Sequence, residues 1–561
     1  MVSIGWLILK LVDIFQSIDI PLFLVLLTLS EQKLYPFYID KIADWGQFAS
    51  SLLKIFTLTK RLKNKYMLFT LSQTNFRAFN CRQLLLLIAL MVWSKGLLAQ
   101  SPDDEKSQLA LVHEFIAMFN SSERNAVSAF IDRHLAQSTL DRFGDEGRSR
   151  YIGYISGEKQ FHRSFKLGAI KKLEQRNGSD QYQARVSSHN TELGYHLTLG
   201  ISQGKPFKVT GVRLRPANDT QATKGSLSKK EFTESIASYV DRLAERGVFS
   251  GAVLVADDQD VIYQAAKGFA SIRYRIKNNS QTKFNLGSMN KMFTGLSVMQ
   301  LVEQQKLSLD DKLVEYVDRS LLGEGDFEQI TIEQLLTHTS GLGWANYPEL
   351  SQASLRNLND HKPYLKYIPL SNPPGTRFGY SNDGMALLGM VIERVSGLSY
   401  YDYVRKHVYK VAGMVNSDSF DVDLPVPNLA MGYYYSAEHD SMQSNLFVHP
   451  IKGGPAGGGY STVEDLYQFS KALTGHQLLS KELTEEAYSA KPELNSPRYG
   501  YGFFVQGDSD NRIIGHSGAY MGVSSILSVY LDKGFTVIVL ANQSFARDPV
   551  VSKIESLIQQ L

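Results

Sequence analysis

Two apolar runs near the carboxyl end, SSILSVYL (524–531) and FTVIVLANQ (535–543), are separated only by Asp532-Lys533-Gly534. So short a turn folds one strand back on the next, which commits this part of the chain to an antiparallel sheet. A further strand, YGYGFFVQ (499–506), precedes them, and a strand pair, GAVLVADDQDVIYQAAKG (251–268), lies ahead of a helix-rich middle. The helical pattern KKEFTESIASYVDRLAERG (229–247) opens this region. Residues 230–561 therefore read as one larger domain, an antiparallel sheet flanked by helices.

Ahead of it, residues 101–218 read as a small α+β domain. QLALVHEFIAMFN (108–120) and NAVSAFIDRHLAQSTLDRF (125–143) carry apolar residues at helical spacing, and in ELGYHLTLGIS the residues Leu193, Tyr195, Leu197, Leu199 and Ile201 alternate onto one strand face. Asn177-Gly178 and Ser202–Pro206 supply turns, and a parity break predicts a bulge near Gly211. Helices followed by a meander resemble the cone-shaped nuclear-transport-factor-like fold; a ligand-holding cone and a plain spacer or docking module both fit these residues. Residues 219–229 are polar and turn-rich, as a linker is. The fold class expected is a two-domain α/β (α+β) chain.

The first hundred residues differ in kind. A basic lead-in precedes the apolar run LLLLIALMVW (84–93), and Ala99 follows it, the order of a secretory signal peptide within 67–100. About ten apolar residues are too few to cross a ~30 Å hydrocarbon layer. Met67 is therefore expected to be the initiator, with an apolar anchor in residues 1–30 as the competing reading. Export to a periplasm or medium is the expected location, with membrane attachment only if the leader is retained.

The one cysteine, Cys81, excludes an intramolecular disulfide and a cysteine-rich metal site, and a formal charge of +3 over 561 residues gives no pull toward nucleic acid. The substrate expected is a small molecule or peptide, with no metal and no cofactor; the partner of the amino-terminal domain is unknown.

The chemistry is concentrated in FNLGSMNKMFTG (284–295), where Ser288 stands one helical turn ahead of Lys291 on an apolar helix. Ser-x-x-Lys alone is weak, since Ser51/Lys54 and Ser226/Lys229 match it too, and a serine at this point can simply cap a helix. Desolvation would lower the lysine pKa and let it take the serine proton. Two more triplets follow, Tyr380-Ser381-Asn382 and His516-Ser517-Gly518. In this order the sequence resembles the serine β-lactamase and penicillin-binding-protein superfamily, in the class C-like branch that includes esterases and D-peptidases. The segments ITIEQLLTHTSGL (330–342) and GGPAGGGYSTVEDLYQF (453–469) extend the resemblance over roughly 230–561. Both read as scaffold: Thr331 with Gln334, and Ser461 with Glu464, fit capping boxes, His338 has no second histidine at ligand spacing, and the glycine run lacks the ending of a phosphate loop.

The resemblance implies an acyl-enzyme on Ser288, Lys291 and Tyr380 sharing the general-base work, Asn382 holding Lys291 or the substrate amide, and backbone N–H groups of Ser288 and Ala519 as oxyanion hole. His516, Ser517 and Gly518 would line the substrate. The departure is His516, where the family's β-lactamases and penicillin-binding proteins usually carry lysine; as a cation, His516 would favour carboxylate-bearing substrates on acidification toward pH 6. The implied function is hydrolysis of an ester or amide, including D-amino-acid peptides, in a bacterial setting. A true β-lactamase or D-alanyl-D-alanine carboxypeptidase, and a non-catalytic binding or sensor protein, are the alternatives.

Overall fold

The computed structural model describes residues 102–561 apart from 218–226, 344, 346–354 and 449, and residues 100–561 form one compact unit. The expectations for the leader, including the segment at 67–100, Met67, residues 1–30 and Cys81, lie outside the described residues, as does most of the linker. No helix among the described residues is long and apolar enough to cross a membrane.

The amino-terminal part packs helices α1 (Pro102–Asn120), α2 (Ala126–His134) and α3 (Gly147–His162) on a meander of β1 (Phe165–Arg176), β2 (Ser179–Ser188), β3 (Gly194–Ser202) and β4 (Val209–Pro216). The β3 face expected from alternation is buried against Val112, Phe115, Phe119 and Ile131. Gly200 pairs with Gly211 and Ile201 with Val209, so the bulge falls on Thr210, beside the expected glycine. Helical pattern misled at two places. The 125–143 run is broken at Leu135, whose backbone is extended, and α3 was not foreseen, because GRSRYIGYISGEKQFH carries three glycines that weaken helix propensity.

The larger part is built on a six-stranded antiparallel sheet. Its strands are β5 (Gly251–Ala256), β6 (Val261–Lys267), β9 (Phe504–Gln506), β10 (Ile513–Tyr520), β11 (Val523–Tyr530) and β12 (Phe535–Ala541), in spatial order β9-β10-β11-β12-β5-β6. A separate hairpin of β7 (Tyr433–Ser436) and β8 (Ser441–Ser444) stands beside it. Both faces of the sheet are covered, which is why every residue of GAVLVA is buried. Val253, Val255, Val537 and Val539 face α4 (Lys229–Glu245) and α9 (Arg547–Ile558). Leu254, Leu527, Ile538 and Leu540 face α5 (Asn290–Glu303), α7 (Asn382–Ser396) and α8 (Val463–Thr474), with the short helix α6 (Ile332–Leu336) beside them.

The two parts share a contact surface. Tyr239 of α4 donates to the Thr191 carbonyl (2.6 Å), and Glu192 pairs with Arg242 (3.0 Å) and Arg246 (2.7 Å). Phe545 rests against α3, where the Cβ that Gly157 lacks would stand 3.0 Å from its ring. Phe545→Ala removes most of this apolar contact and is expected to lower stability by about 1–3 kcal/mol, because its ring is only half buried. A thermal-unfolding comparison with the wild type checks this.

Candidate active site

Ser288 sits in a single 3₁₀ turn, Gly287–Met289, that feeds directly into α5. The turn is tied on three sides: Gly287 N–H donates to Asn285 Oδ1 (2.9 Å), Leu286 N–H to the Gly459 carbonyl (2.7 Å), and Gly458 N–H to the Gly287 carbonyl (3.0 Å). Strand β10 presses against it so closely that a Cβ on Gly518 would lie 1.9 Å from the Leu286 oxygen. Gly287, at φ +51°, is the matching gap, since a Cβ there would stand 3.1 Å from Ala519 N. Two glycines thus bring the Ser288 turn and the Ala519 backbone side by side. No side-chain cap bond is made at the start of α5, so Ser288 is not a helix cap; its hydroxyl engages the Tyr380 phenol instead.

Lys291 projects from the first turn of α5 and is fully buried. Its Nζ donates to Asn382 Oδ1 (2.8 Å) and to the Ala456 carbonyl, and stands 4.8 Å from the centre of the Tyr380 ring. Burial without a carboxylate partner drags its pKa down to about 7. A neutral amine has two N–H bonds and one lone pair. Both N–H bonds are taken by the two carbonyl oxygens, which leaves the lone pair as its free function.

Tyr380 precedes α7, whose N-cap is Ser381, bonded to Gly384 N–H (3.1 Å). Its ring stacks on Phe504 (centroids 6.4 Å, 4° between planes) and lies 6.4 Å from the His516 ring. Burial pushes its pKa up to about 12. The burial that strips the lysine of its proton also makes the phenol hold on to its own, which sets apart the two groups expected to share the base work.

His516 is buried at 2% exposure, its Nε2 faces the Tyr499 hydroxyl (3.0 Å) and its Nδ1 the Ser517 carbonyl (2.7 Å). A carbonyl only accepts, so Nδ1 carries the hydrogen and Nε2 accepts from Tyr499. Desolvation lowers its pKa to about 3, with the Lys291 and Arg547 charges adding to the effect, so the condition for a gain on acidification toward pH 6, a cationic His516, is not met. Ser517 and Gly518 continue along β10, whose edge β9 covers only over 513–515.

Three groups here escaped the sequence reading. The GGPAGGG run is part of the site, because it delivers the Ala456 carbonyl to Lys291 and the Gly458 N–H to the Ser288 turn; its glycine density was the available signal. Tyr499 closes the His516 network and nothing in its neighbourhood marks it. His338 is buried, at φ +57°, a backbone region costly for a side chain of this size. Its carbonyl accepts from Gly379 N–H (2.7 Å), its Nδ1 accepts from Ser381 N–H (3.2 Å), and its ring lies 4.4 Å from Tyr380 and 4.7 Å from Tyr499. It clamps the segment carrying Tyr380 on both sides. The Thr331–Gln334 capping box is present, whereas the cap of α8 is Thr462, bonded to Asp465 N–H, because Ser461 is held in a short strand and bonds Ser417.

The arrangement of a serine, a buried amine and a phenol at the edge of an antiparallel sheet agrees with the sequence comparisons. A family model described as Beta-lactamase matches residues 236–558. The chain belongs to the Beta-lactamase family. It is a serine hydrolase of the superfamily that also holds the penicillin-binding proteins. Its relatives include Penicillin-binding protein 4* of Bacillus subtilis (strain 168), 30% identical over 56% of this chain and 73% of that protein. A putative penicillin-binding protein, PbpX, of the same organism is 26% identical over 62% of this chain and 87% of its own length. Among solved structures, a penicillin binding protein from Bacillus halodurans is 32% identical and superposes with a TM-score of 0.51 over 59% of this chain and 99% of that one. D-amino acid amidase from Ochrobactrum anthropi SV3, at 19% identity and a TM-score of 0.50 over 58% of this chain and 98% of that one, shares the fold.

The clamp gives a test of how a β-lactamase-family site of this kind is positioned. His338→Phe keeps the ring and loses the acceptor for Ser381 N–H; His338→Asn keeps an acceptor near the same place. Turnover should fall on the order of a hundredfold in the first and clearly less in the second, with KM little changed, as a displaced but intact phenol would give. Steady-state kinetics of both variants beside the wild type decide it.

Proposed function

We propose that this protein hydrolyses neutral ester or amide substrates, D-amino-acid derivatives among them, through an acyl-enzyme on Ser288. The observation that carries the reading is the Lys291 amine with both N–H bonds occupied and its pKa near 7. Ser288 Oγ attacks the carbonyl carbon while its proton passes to the Lys291 lone pair. The backbone N–H groups of Ser288 and Ala519 receive the oxyanion. As the bond to the leaving oxygen or nitrogen breaks, the Tyr380 hydroxyl gives that atom a proton and is reprotonated by the neighbouring Lys291 ammonium, which holds the proton taken from Ser288. Water then attacks the ester on Ser288 by the same route, releasing the acid and restoring the serine.

His516 supports the restriction to neutral substrates. A lysine at its place would put a fixed cation where a substrate carboxylate could bind; a buried neutral imidazole with both nitrogens engaged offers no such charge. The names of the relatives favour a second reading, a penicillin-binding protein, which needs another cation for the substrate carboxylate. The signal-like segment at 67–100 supports export as part of the proposal.

The direct test is a fluorophosphonate: one adduct by intact mass on the wild type and none on Ser288→Ala. The acid limb of kcat/KM should rise about tenfold per pH unit and level off near pH 7, since only the unprotonated Lys291 accepts the serine proton; a plateau reached only above pH 9 would remove Lys291 from that role. Carboxylate-bearing and neutral esters should show the same acid limb between pH 5 and 7. Tyr380→Phe should cost far more on an alkyl amide than on a p-nitrophenyl ester, whose leaving group needs no proton.

A further inference from the structure

We propose that the surface running on from Ala519, formed by Tyr520, Met521 and Phe447, is a subsite for an extended apolar acyl group, and that the amino-terminal domain braces it. The proposal rests on the acyl-enzyme reading above and adds the substrate class.

The direction follows from proton transfer. Tyr380, which must reach the leaving atom, lies at the His516 end of β10, stacked on Phe504 of the neighbouring strand. The leaving group is therefore held at that end. Ala519 is three residues further along, about 10 Å in an extended strand. With the carbonyl oxygen at Ala519 N–H, the acyl portion points away from Tyr380, toward Tyr520.

What it meets there is open and largely apolar, with Arg150 and Glu146 of the amino-terminal domain near the Tyr520 hydroxyl: Phe447 is 89% exposed, Tyr520 51% and Met521 46%. Loose loops can also expose such residues, but this backbone is fastened. The Tyr520 hydroxyl donates to the Val448 carbonyl (2.8 Å), Asn445 Nδ2 donates to the Met521 carbonyl (3.0 Å), and Asn445 Oδ1 accepts from Gly432 N–H (3.1 Å). Gly522, at φ +74°, closes the turn and donates to Ser544 Oγ (2.9 Å). Large apolar side chains displayed from a pinned backbone beside a nucleophile have the character of a binding shelf.

The amino-terminal domain stands behind it. Ser544 is followed by Phe545, at φ +67°, whose ring meets Tyr154 (6.2 Å) and Phe161 (5.9 Å) of α3. Arg124, just ahead of α2, pairs with Asp440 at the tip of the β7–β8 hairpin (3.7 Å). The route from α3 through Phe545 and Ser544 to the Gly522 turn is continuous.

The experiment uses the full chain and p-nitrophenyl acetate against p-nitrophenyl octanoate. The octanoate-to-acetate ratio of kcat/KM should fall by about tenfold in Phe447→Ser with Tyr520→Ser, in keeping with the small worth of each methylene in an apolar site. Phe545→Ala should lower it in the same direction, whereas Val415→Ser, equally exposed and remote from the shelf, should leave it alone. Fluorophosphonate labelling of Ser288 in every variant shows that the site is folded. A labelled double variant whose ratio matches the wild type overturns the subsite while the acyl-enzyme reading stands. A wild type that takes no label overturns the acyl-enzyme reading, and the subsite with it. A ratio unmoved in Phe545→Ala overturns the bracing.

Discussion

An amine with no exposure to water and no carboxylate beside it is the constraint around which the site is arranged. Removing the Lys291 ammonium from water costs more than two neutral oxygens return, so the folded protein holds the amine near its midpoint at neutral pH. Everything packed around it keeps this balance. Ala456 and Asn382 supply acceptors without supplying charge, and Met292, Phe293 and Leu296 on the same helix keep water away. A carboxylate in place of either oxygen would hold the proton on the amine.

The same dryness acts on the neighbours in opposite senses. It raises the Tyr380 phenol and lowers the His516 and His338 imidazoles, so all three are neutral where Lys291 titrates. One burial effect thus leaves an amine near its midpoint beside a phenol and two imidazoles that stay neutral. Shape follows from glycine: Gly287, Gly457 and Gly518 meet at the Ser288 turn, where a Cβ on any of them would press on a neighbouring backbone.

Much of this could be read from the chain, and the limits have physical causes. The antiparallel sheet was legible because Asp532–Gly534 leaves no room for a crossover, and Ser288, Lys291, Tyr380 and Asn382 were legible because their order and spacing are local facts that the structure brings together. What failed depends on distant contacts. Whether His516 carries charge is decided first by burial that no local pattern records, and its Nε2 is held by Tyr499, seventeen residues away in sequence. The helix Gly147–His162 was missed because its glycines serve packing, Gly157 against Phe545, and its stability comes from tertiary contact that outweighs poor propensity. The α8 cap slipped by one residue because a tertiary hydrogen bond with Ser417 claims Ser461.

The replacement of a cation by His516 changes more than substrate charge. A lysine near Lys291 would depress the neighbouring amine further by like-charge repulsion, as well as binding a carboxylate. With a neutral imidazole there, desolvation alone sets the Lys291 pKa, and the site loses its electrostatic grip on one end of the substrate. Binding energy must then come from elsewhere, and apolar area at the other end of β10 is one source. On the proposal above, a site without a lysine at His516 and with a pinned apolar shelf beyond Ala519 is coherent as a single design: the charge given up at His516 is replaced by surface burial at Tyr520 and Phe447, and the second domain packs behind that surface through Phe545.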